Sequence, residues 1–348
     1  VTRMVFLTVC LLLGGPAHAG SDVEALLRAG RVAEAIPAAR AEAEARPGDL
    51  DVQERFIDVA LATGLRDEAA QRIRARLQAA PDDADGHYLM GRLALSADEA
   101  NAWYDKALSL DPEHARAPMG HAAIHRALGE YQKAVVDYRL ALSRDPTLVE
   151  AWGGLQAAYL RMEQPDQARK VAREALGAVP DAPEPYLAVA TLEPGSARDV
   201  LARGVQAVPR APRLRLALAR AHLDAGDGPS ALAAAQDGLA LAPHNVEGQY
   251  LAMVARDMQG GDLDAPTWST LDGAVRALGA ASEPATLREV TDTFVSLTQE
   301  RPGCVLCWIG RARAAAALGD PGAAVGHAQQ AARLAPTEPE VQATLGLL

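Results

Sequence analysis

Cys304 and Cys307, three residues apart, are the sharpest chemical feature of the sequence. That spacing sets both sulfurs near one helical start, where the helix dipole lowers a thiol pKa. Three states are open to them: a structural disulfide, a pair of quiet thiols, or a thiol–disulfide redox couple. The flanks Pro302-Gly303 and Trp308-Ile309 do not match a redox active site, and no βαβ pattern surrounds them. A structural disulfide is therefore the expected state. Haem attachment would need histidine where Trp308 stands, and zinc would need two further ligands. His121 and His125, four apart on one helix, have a spacing that suits a metal. Their run His-Ala-Ala-Ile-His lacks the glutamate of a zinc protease, and both occupy packing slots, so core histidines are expected. No glycine-rich phosphate loop is present, and Ser196 in Pro-Gly-Ser-Ala is not in a nucleophile elbow. No acid, base and nucleophile converge, so no catalytic residue, metal or cofactor is assigned and the chain is read as a non-enzyme.

The elements that would carry these residues are helical. Apolar residues are 49% of the 348, yet aromatics are 4%, so alanine and leucine dominate. That mix suits thin, closely packed helices, and no stretch alternates apolar with polar as a half-buried strand would. The net charge of −11 leaves no basic footprint for nucleic acid and no polybasic membrane patch. Residues 1–19 read as an export signal: Arg3, an apolar run Met4 to Leu13, and the small-x-small site Ala17-His18-Ala19. The run is about half of what a membrane span needs. Val9 and the early Cys10 argue against a lipoprotein signal. A valine start points to a bacterial gene. The expectation is a bacterial periplasmic or secreted protein cleaved near Ala19.

A repeat organises the rest of the chain. Prolines close short helical patterns at Pro47, Pro81, Pro112, Pro146, Pro180, Pro209, Pro243 and Pro336. Most gaps are 34 residues, with one long irregular interval after Pro243. Twelve residues before each proline stand Ala35, Ala69, Ala100, Ala134, Ala168, Ala197, Ala231 and Ala324, alanine every time. Five further back come Gly30, Gly64, Gly129, Gly226 and Gly319, with Glu163 in the sixth full-length unit. Each unit thus reads as helix, glycine turn, helix, proline stop. Glycine reaches the left-handed conformation that ends a helix, alanine lets two helices approach, and proline cannot continue the second helix. Such a hairpin cannot bury its own apolar stripe, so neighbours must stack.

This period and these residue choices resemble the tetratricopeptide repeat family. Trp152, Tyr186 and Trp308 fall where that family favours an aromatic early in its first helix, Tyr159 near that helix's end, and Tyr104 and Tyr138 in the second. The resemblance covers roughly residues 21 to 338 and implies an all-α, tetratricopeptide-type helical-hairpin solenoid, a right-handed superhelix. Departures are Glu42 where the family prefers alanine, and short units ending at Pro112 and Pro209 without a turn glycine. A tight turn is expected at Leu192-Glu193-Pro194-Gly195. The expected organisation is a signal at 1–19, a repeat array over 20–263, an irregular segment or hinge at 264–301, and a final repeat with terminal helix at 302–348. In the irregular stretch, helices are expected over roughly 246–258 and 266–278, then one ending at Glu300. The tail Leu345-Gly346-Leu347-Leu348 is apolar for a solvent cap.

In this family the first helix of each hairpin lines a concave groove. Carried onto this sequence, that face holds Tyr88, Arg92, Met119, Arg126, Arg161, Leu216, Arg220, Tyr250, Ile309 and Arg313. Five arginines on one face suit an extended or C-terminal protein or peptide partner bearing acidic groups; the alternative is that they pair with carboxylates of neighbouring hairpins. The resulting expectation is an exported binding scaffold, working in assembly of envelope complexes. The rival reading is a thiol-disulfide redox factor using Cys304 and Cys307.

Overall fold

The computed structural model describes residues 32–243, 245–260, 263–281 and 283–335, together with Val23, Leu26, Thr344 and Leu345. The export signal, the Gly30 turn and nearly all of the terminal helix lie outside the described residues. Among those described are eighteen α-helices and no strand. The chain divides into two compact units, Val1–Ser196 and Ala197–Leu348. The division falls at the 3-10 turn Pro194–Ser196, in a repeat that lacks a turn glycine. Residues 264–301 lie within the second unit.

The first unit contains α1 (Val32–Ala45), α2 (Leu50–Ala62), α3 (Arg66–Ala79), α4 (Ala84–Leu93), α5 (Ala97–Leu110), α6 (Arg116–Ala127), α7 (Tyr131–Arg144), α8 (Val149–Arg161), α9 (Pro165–Ala178) and α10 (Pro183–Leu192). Four hairpins, α2–α3, α4–α5, α6–α7 and α8–α9, stack in series. Their first helices α2, α4, α6 and α8 also touch one another, which sets them side by side on one face. The second unit contains α11 (Ala197–Ala207), α12 (Pro212–Asp224), α13 (Gly228–Leu241), α14 (Val246–Gly260), α15 (Ala265–Ala280), α16 (Pro284–Glu300), α17 (Val305–Ala317) and α18 (Pro321–Leu334). Here α12–α13 and α17–α18 are regular hairpins. Between them α14 packs on α13, whereas α15 packs against α12, α16 and α17.

The residues at the repeat positions explain these elements. Seven of the eight spaced alanines are buried; the exception, Ala197, opens the second unit beside the division. Where the second helix carries a large ring, the neighbouring first helix answers with glycine. A Cβ on Gly310 would lie 2.1 Å from the Phe294 ring, and one on Gly154 would lie 2.2 Å from the Tyr138 ring. Rings therefore seat against bare backbone, and the helices close to contact distance.

A recurrent hydrogen bond pins five of the junctions. Six residues after the closing proline, a side chain near the start of the next helix bonds back to that proline's carbonyl. Trp152 donates to Pro146 at 2.8 Å, Tyr186 to Pro180 at 2.9 Å, Gln249 to Pro243 at 3.2 Å and Trp308 to Pro302 at 2.9 Å. His87 makes the same contact with Pro81 at 2.9 Å, which requires its Nε2 to carry the proton. These side chains thus fill space and also satisfy a carbonyl that helix geometry leaves open. Pro302 joins the same ladder, 34 residues before Pro336.

The turn glycines Gly64, Gly129, Gly226 and Gly319 all have φ between 74° and 81°. Glu163 takes the same left-handed turn at φ 58°, the one non-glycine residue with positive φ among those described. Its Cβ crowds the backbone there at a cost of about 1–2 kcal/mol. Glu163→Gly is expected to stabilise the fold by about 1 kcal/mol, net of the added freedom of the unfolded chain. A urea titration that gives an unchanged or lower midpoint would contradict this account of the turn.

Candidate binding faces

In the first unit the first helices place charged side chains in register. Asp51, Glu54 and Asp58 recur at three- and four-residue spacing along one side of α2, so they point the same way. Glu54 accepts from the Tyr88 hydroxyl and from both Arg92 on α4, at 3.0 Å, and Arg116 on α6. Arg92 also donates to Asp58 at 2.6 Å, and Arg116 to Asp51. One carboxylate thereby joins three successive hairpins. Burial would lower both guanidinium groups, but neighbouring oxygens outweigh it: Arg116 is raised chiefly by Glu54, and Arg92 by the Tyr88 phenol and then the Asp58 and Glu54 carboxylates. Burial raises the Asp58 carboxyl, partly offset by Arg92. Glu150 on α8 reaches solvent, yet it sits in a recess; burial there and then the Glu54 charge raise its carboxyl, against a backbone hydrogen bond. Four carboxylates thus surround two arginines.

Further along this face lie half-buried Met119 and exposed Ala123 on α6, exposed Gly153 and Leu160 on α8, and open space beside Gly153. Arg126 is exposed, and its charge partly offsets the burial that raises the Tyr138 hydroxyl. Arg161 is exposed, donates to the Tyr131 hydroxyl at 3.1 Å and lies 5.8 Å over that ring.

The corresponding face of the second unit is built differently. Arg220 on α12 donates to Asp272 of α15 at 2.7 Å and lies 5.6 Å over the Trp268 ring. Trp268, 1% exposed, donates its indole N–H to Asp224 at 2.8 Å. Asp272, 4% exposed, takes Arg220 on one oxygen and Arg276 on the other. Burial lowers Arg220, but the bond to Asp272 more than restores it. Tyr250 on α14 stands 6.0 Å from the Trp268 ring.

Of the residues expected to line a groove, three do not. Tyr88, Leu216 and Ile309 are 1%, 2% and 3% exposed, because neighbouring elements cover them, although each stands one turn before an arginine on the same side of its helix. Leu216 is wedged beside Gly238 and Gly248, and Ile309 belongs to the second unit's core. Arg92 and Arg220 are on the expected faces but are held by the chain's own carboxylates. Arg313 is exposed and already engaged. Met119, Arg126 and Arg161 remain open to a partner. Sequence reasoning missed Asp51, Glu54, Asp58, Arg116, Glu150, Trp268, Asp272 and Arg276. Arg116 was within reach of it, standing one turn before Met119 on the same helical face.

His121 contacts Asn101 at 2.8 Å and Asp105 at 3.2 Å, while His125 contacts Asp137 at 2.8 Å, so each is held by different side chains. Among the described residues no group of histidine, cysteine and acidic side chains could hold a metal, and no helix is long and apolar enough to cross a membrane. Cys304 and Cys307 are joined as a disulfide, both 0% exposed. The Cys304 sulfur also accepts the Cys307 N–H at 3.2 Å, capping α17. A bond enclosed in this way is out of reach of an attacking thiolate in the folded chain.

Glu54→Gln keeps the shape and removes the charge. It is expected to lower stability by about 1.5–3 kcal/mol, the scale for hydrogen bonds to a charged group. Chemical denaturation with no change in midpoint would show that the three-hairpin network contributes nothing.

Residues 125–192 match one family model described as tetratricopeptide repeat, and residues 96–148 and 186–246 match a second of the same description. Over 71 residues the chain is 37% identical to tetratricopeptide repeat protein 7B of Homo sapiens, covering 20% of this chain and 8% of that protein. The chain thus matches only a small part of that relative's length. Among solved structures, PilF of Pseudomonas aeruginosa is 21% identical, with 59% of this chain and 97% of that chain covered and a TM-score of 0.42. Human IFIT1 is 14% identical, with 90% and 81% covered and a TM-score of 0.45.

Proposed function

Because the chain is built on tetratricopeptide repeats, we propose that it is a non-catalytic scaffold that holds an extended segment of a partner protein along the face made by its first helices. The carrying observation is the face of the first unit beyond the charged network. Ala123, Gly153 and Leu160 stand exposed near half-buried Met119, with no described element laid over them. Small residues next to a long apolar one give a recess for a partner's apolar side chain, and the rim of Arg126 and Arg161 supplies donors. Arg92 and Arg116 are not available to a ligand, since in-chain carboxylates already hold them.

A photo-crosslinking residue at Ala123 is expected to give adducts with a partner, while one at Val136, exposed on second helix α7, gives none. Equal labelling at both positions, or adducts only at Val136, would remove the first-helix face from the reading.

We place the working site outside the cytoplasm, in the bacterial envelope, where assembly of larger complexes is the fitting role. Residues 1–19 support this through their signal-like pattern, and the buried disulfide suits an oxidising compartment. Expressed whole in a bacterial host, the protein is expected in the periplasmic fraction with an intact mass that lacks residues 1–19. Recovery of the uncleaved chain in the cytoplasm would contradict export. The enclosed disulfide gives no support to the redox alternative.

A further inference from the structure

We infer that the Cys304–Cys307 bond is a covalent helix cap, made on the open chain by exchange with an external disulfide carrier before α17 seats on the core. The inference stands apart from partner holding and needs no free binding face.

Among the described residues four helices open in the same way. The second residue after the closing proline turns its side chain onto the backbone N–H three residues further on, one of the donors that a helix start leaves open. Asp49 accepts from Val52 at 3.2 Å, His114 Nδ1 from Ala117 at 3.1 Å, Asn245 from Gly248 at 2.8 Å and Cys304 Sγ from Cys307 at 3.2 Å. Three of these acceptors are an oxygen or a nitrogen. At α17 the acceptor is sulfur, which is weak in that role, but there the N–H belongs to a second cysteine and the two sulfurs are bonded. The turn that the other three helices hold by a hydrogen bond is thus held at α17 by a covalent link. Leu148, Ala182 and Ala211 stand at the same place without an acceptor, so the repeat itself does not demand a cap. What α17 gains is a fixed first turn ahead of Gly310, on whose backbone the Phe294 ring sits.

Burial sets the order of events. Both sulfurs are 0% exposed and share one enclosed cluster with Phe294 and Leu297 of α16 and with Leu306 and Ile309 of α17. Making the bond takes two exchanges. One chain thiolate attacks the carrier's disulfide and expels a carrier thiolate. The second chain thiolate then attacks the chain sulfur of the mixed bond and expels the other carrier thiolate. The chain loses two electrons and two protons, and the carrier leaves as a dithiol. Each exchange needs a carrier sulfur in contact with a chain sulfur, which the closed cluster does not admit. The bond is therefore made while α17 stands away from α16, and closure afterwards protects it. The reaction that must act on this chain is dithiol oxidation by a disulfide carrier, ahead of the folding of the last hairpin.

The test uses the full chain with Cys10→Ser, which leaves this pair as its only cysteines. Under native conditions millimolar dithiothreitol is expected to reduce the bond at least about a hundredfold more slowly than at the urea midpoint, because exchange waits for α17 to open. Alkylation followed by intact mass counts the thiols. Equal rates would overturn the order of events, and this measurement needs no variant of the pair. In the same background Cys304→Ala with Cys307→Ala is expected to lower the thermal midpoint by about 5–10 °C. Cys304→Ser with Cys307→Ala puts a hydroxyl where the sulfur stood. It should recover about 2–4 °C of that loss and be indifferent to reductant. An alanine pair as stable as the cysteine pair, or a serine variant no more stable than the alanine pair, would overturn the cap.

Discussion

Two helices can share a core only if something lets their backbones come close, and in this chain that something is a single small side chain repeated at each hairpin. Alanine twelve residues before the closing proline is enclosed in seven of eight units. Around it the rings of Phe294 and Tyr138 press on glycine backbone instead of on other side chains. No hairpin has enough large apolar surface to stand alone, since the chain is poor in aromatics. Stability is shared between neighbours, and five junctions are closed by a side chain bonding back to the proline carbonyl.

That economy of large side chains has an electrostatic consequence. Polar residues on the first-helix faces lie close enough to form networks across hairpins, so the arginines meet carboxylates of their own chain before they meet a ligand. Glu54 gathers donors from two later hairpins, and Asp272 holds one arginine on each of its oxygens. The same residue types thus give the first unit's face an excess of carboxylates and hold Arg220 of the second unit between Asp272 and Glu247. What distinguishes them is the placement of a single helix, α15, which leaves the repeat pattern and lies against α12.

The cysteines show how burial changes the meaning of a motif. Spacing alone left a disulfide, quiet thiols and a redox couple all open. With both sulfurs enclosed and one capping α17, the bond ties the turn after Pro302 to the helix beyond it. The histidines behave similarly: a four-residue spacing that suits a metal is taken apart by Asn101, Asp105 and Asp137.

Glycine, alanine and proline at fixed intervals determined the hairpins, because each acts through its own backbone or its own small volume and needs no distant partner. The left-handed glycine turns were legible for that reason, whereas at Glu163 the register marked the position and the structure showed the conformation. Which face a residue served was partly legible from helical spacing, and it failed at Tyr88, Leu216 and Ile309, where neighbouring hairpins cover the side chain. Only the tertiary structure decided which carboxylate takes which arginine. The partners of Arg116 lie 62 and 65 residues away and those of Arg220 lie 52 and 27 away, distances that no local period encodes. The course of α15 was beyond the sequence for the same reason: its neighbour is chosen by packing on α12, α16 and α17, not by the helix that precedes it.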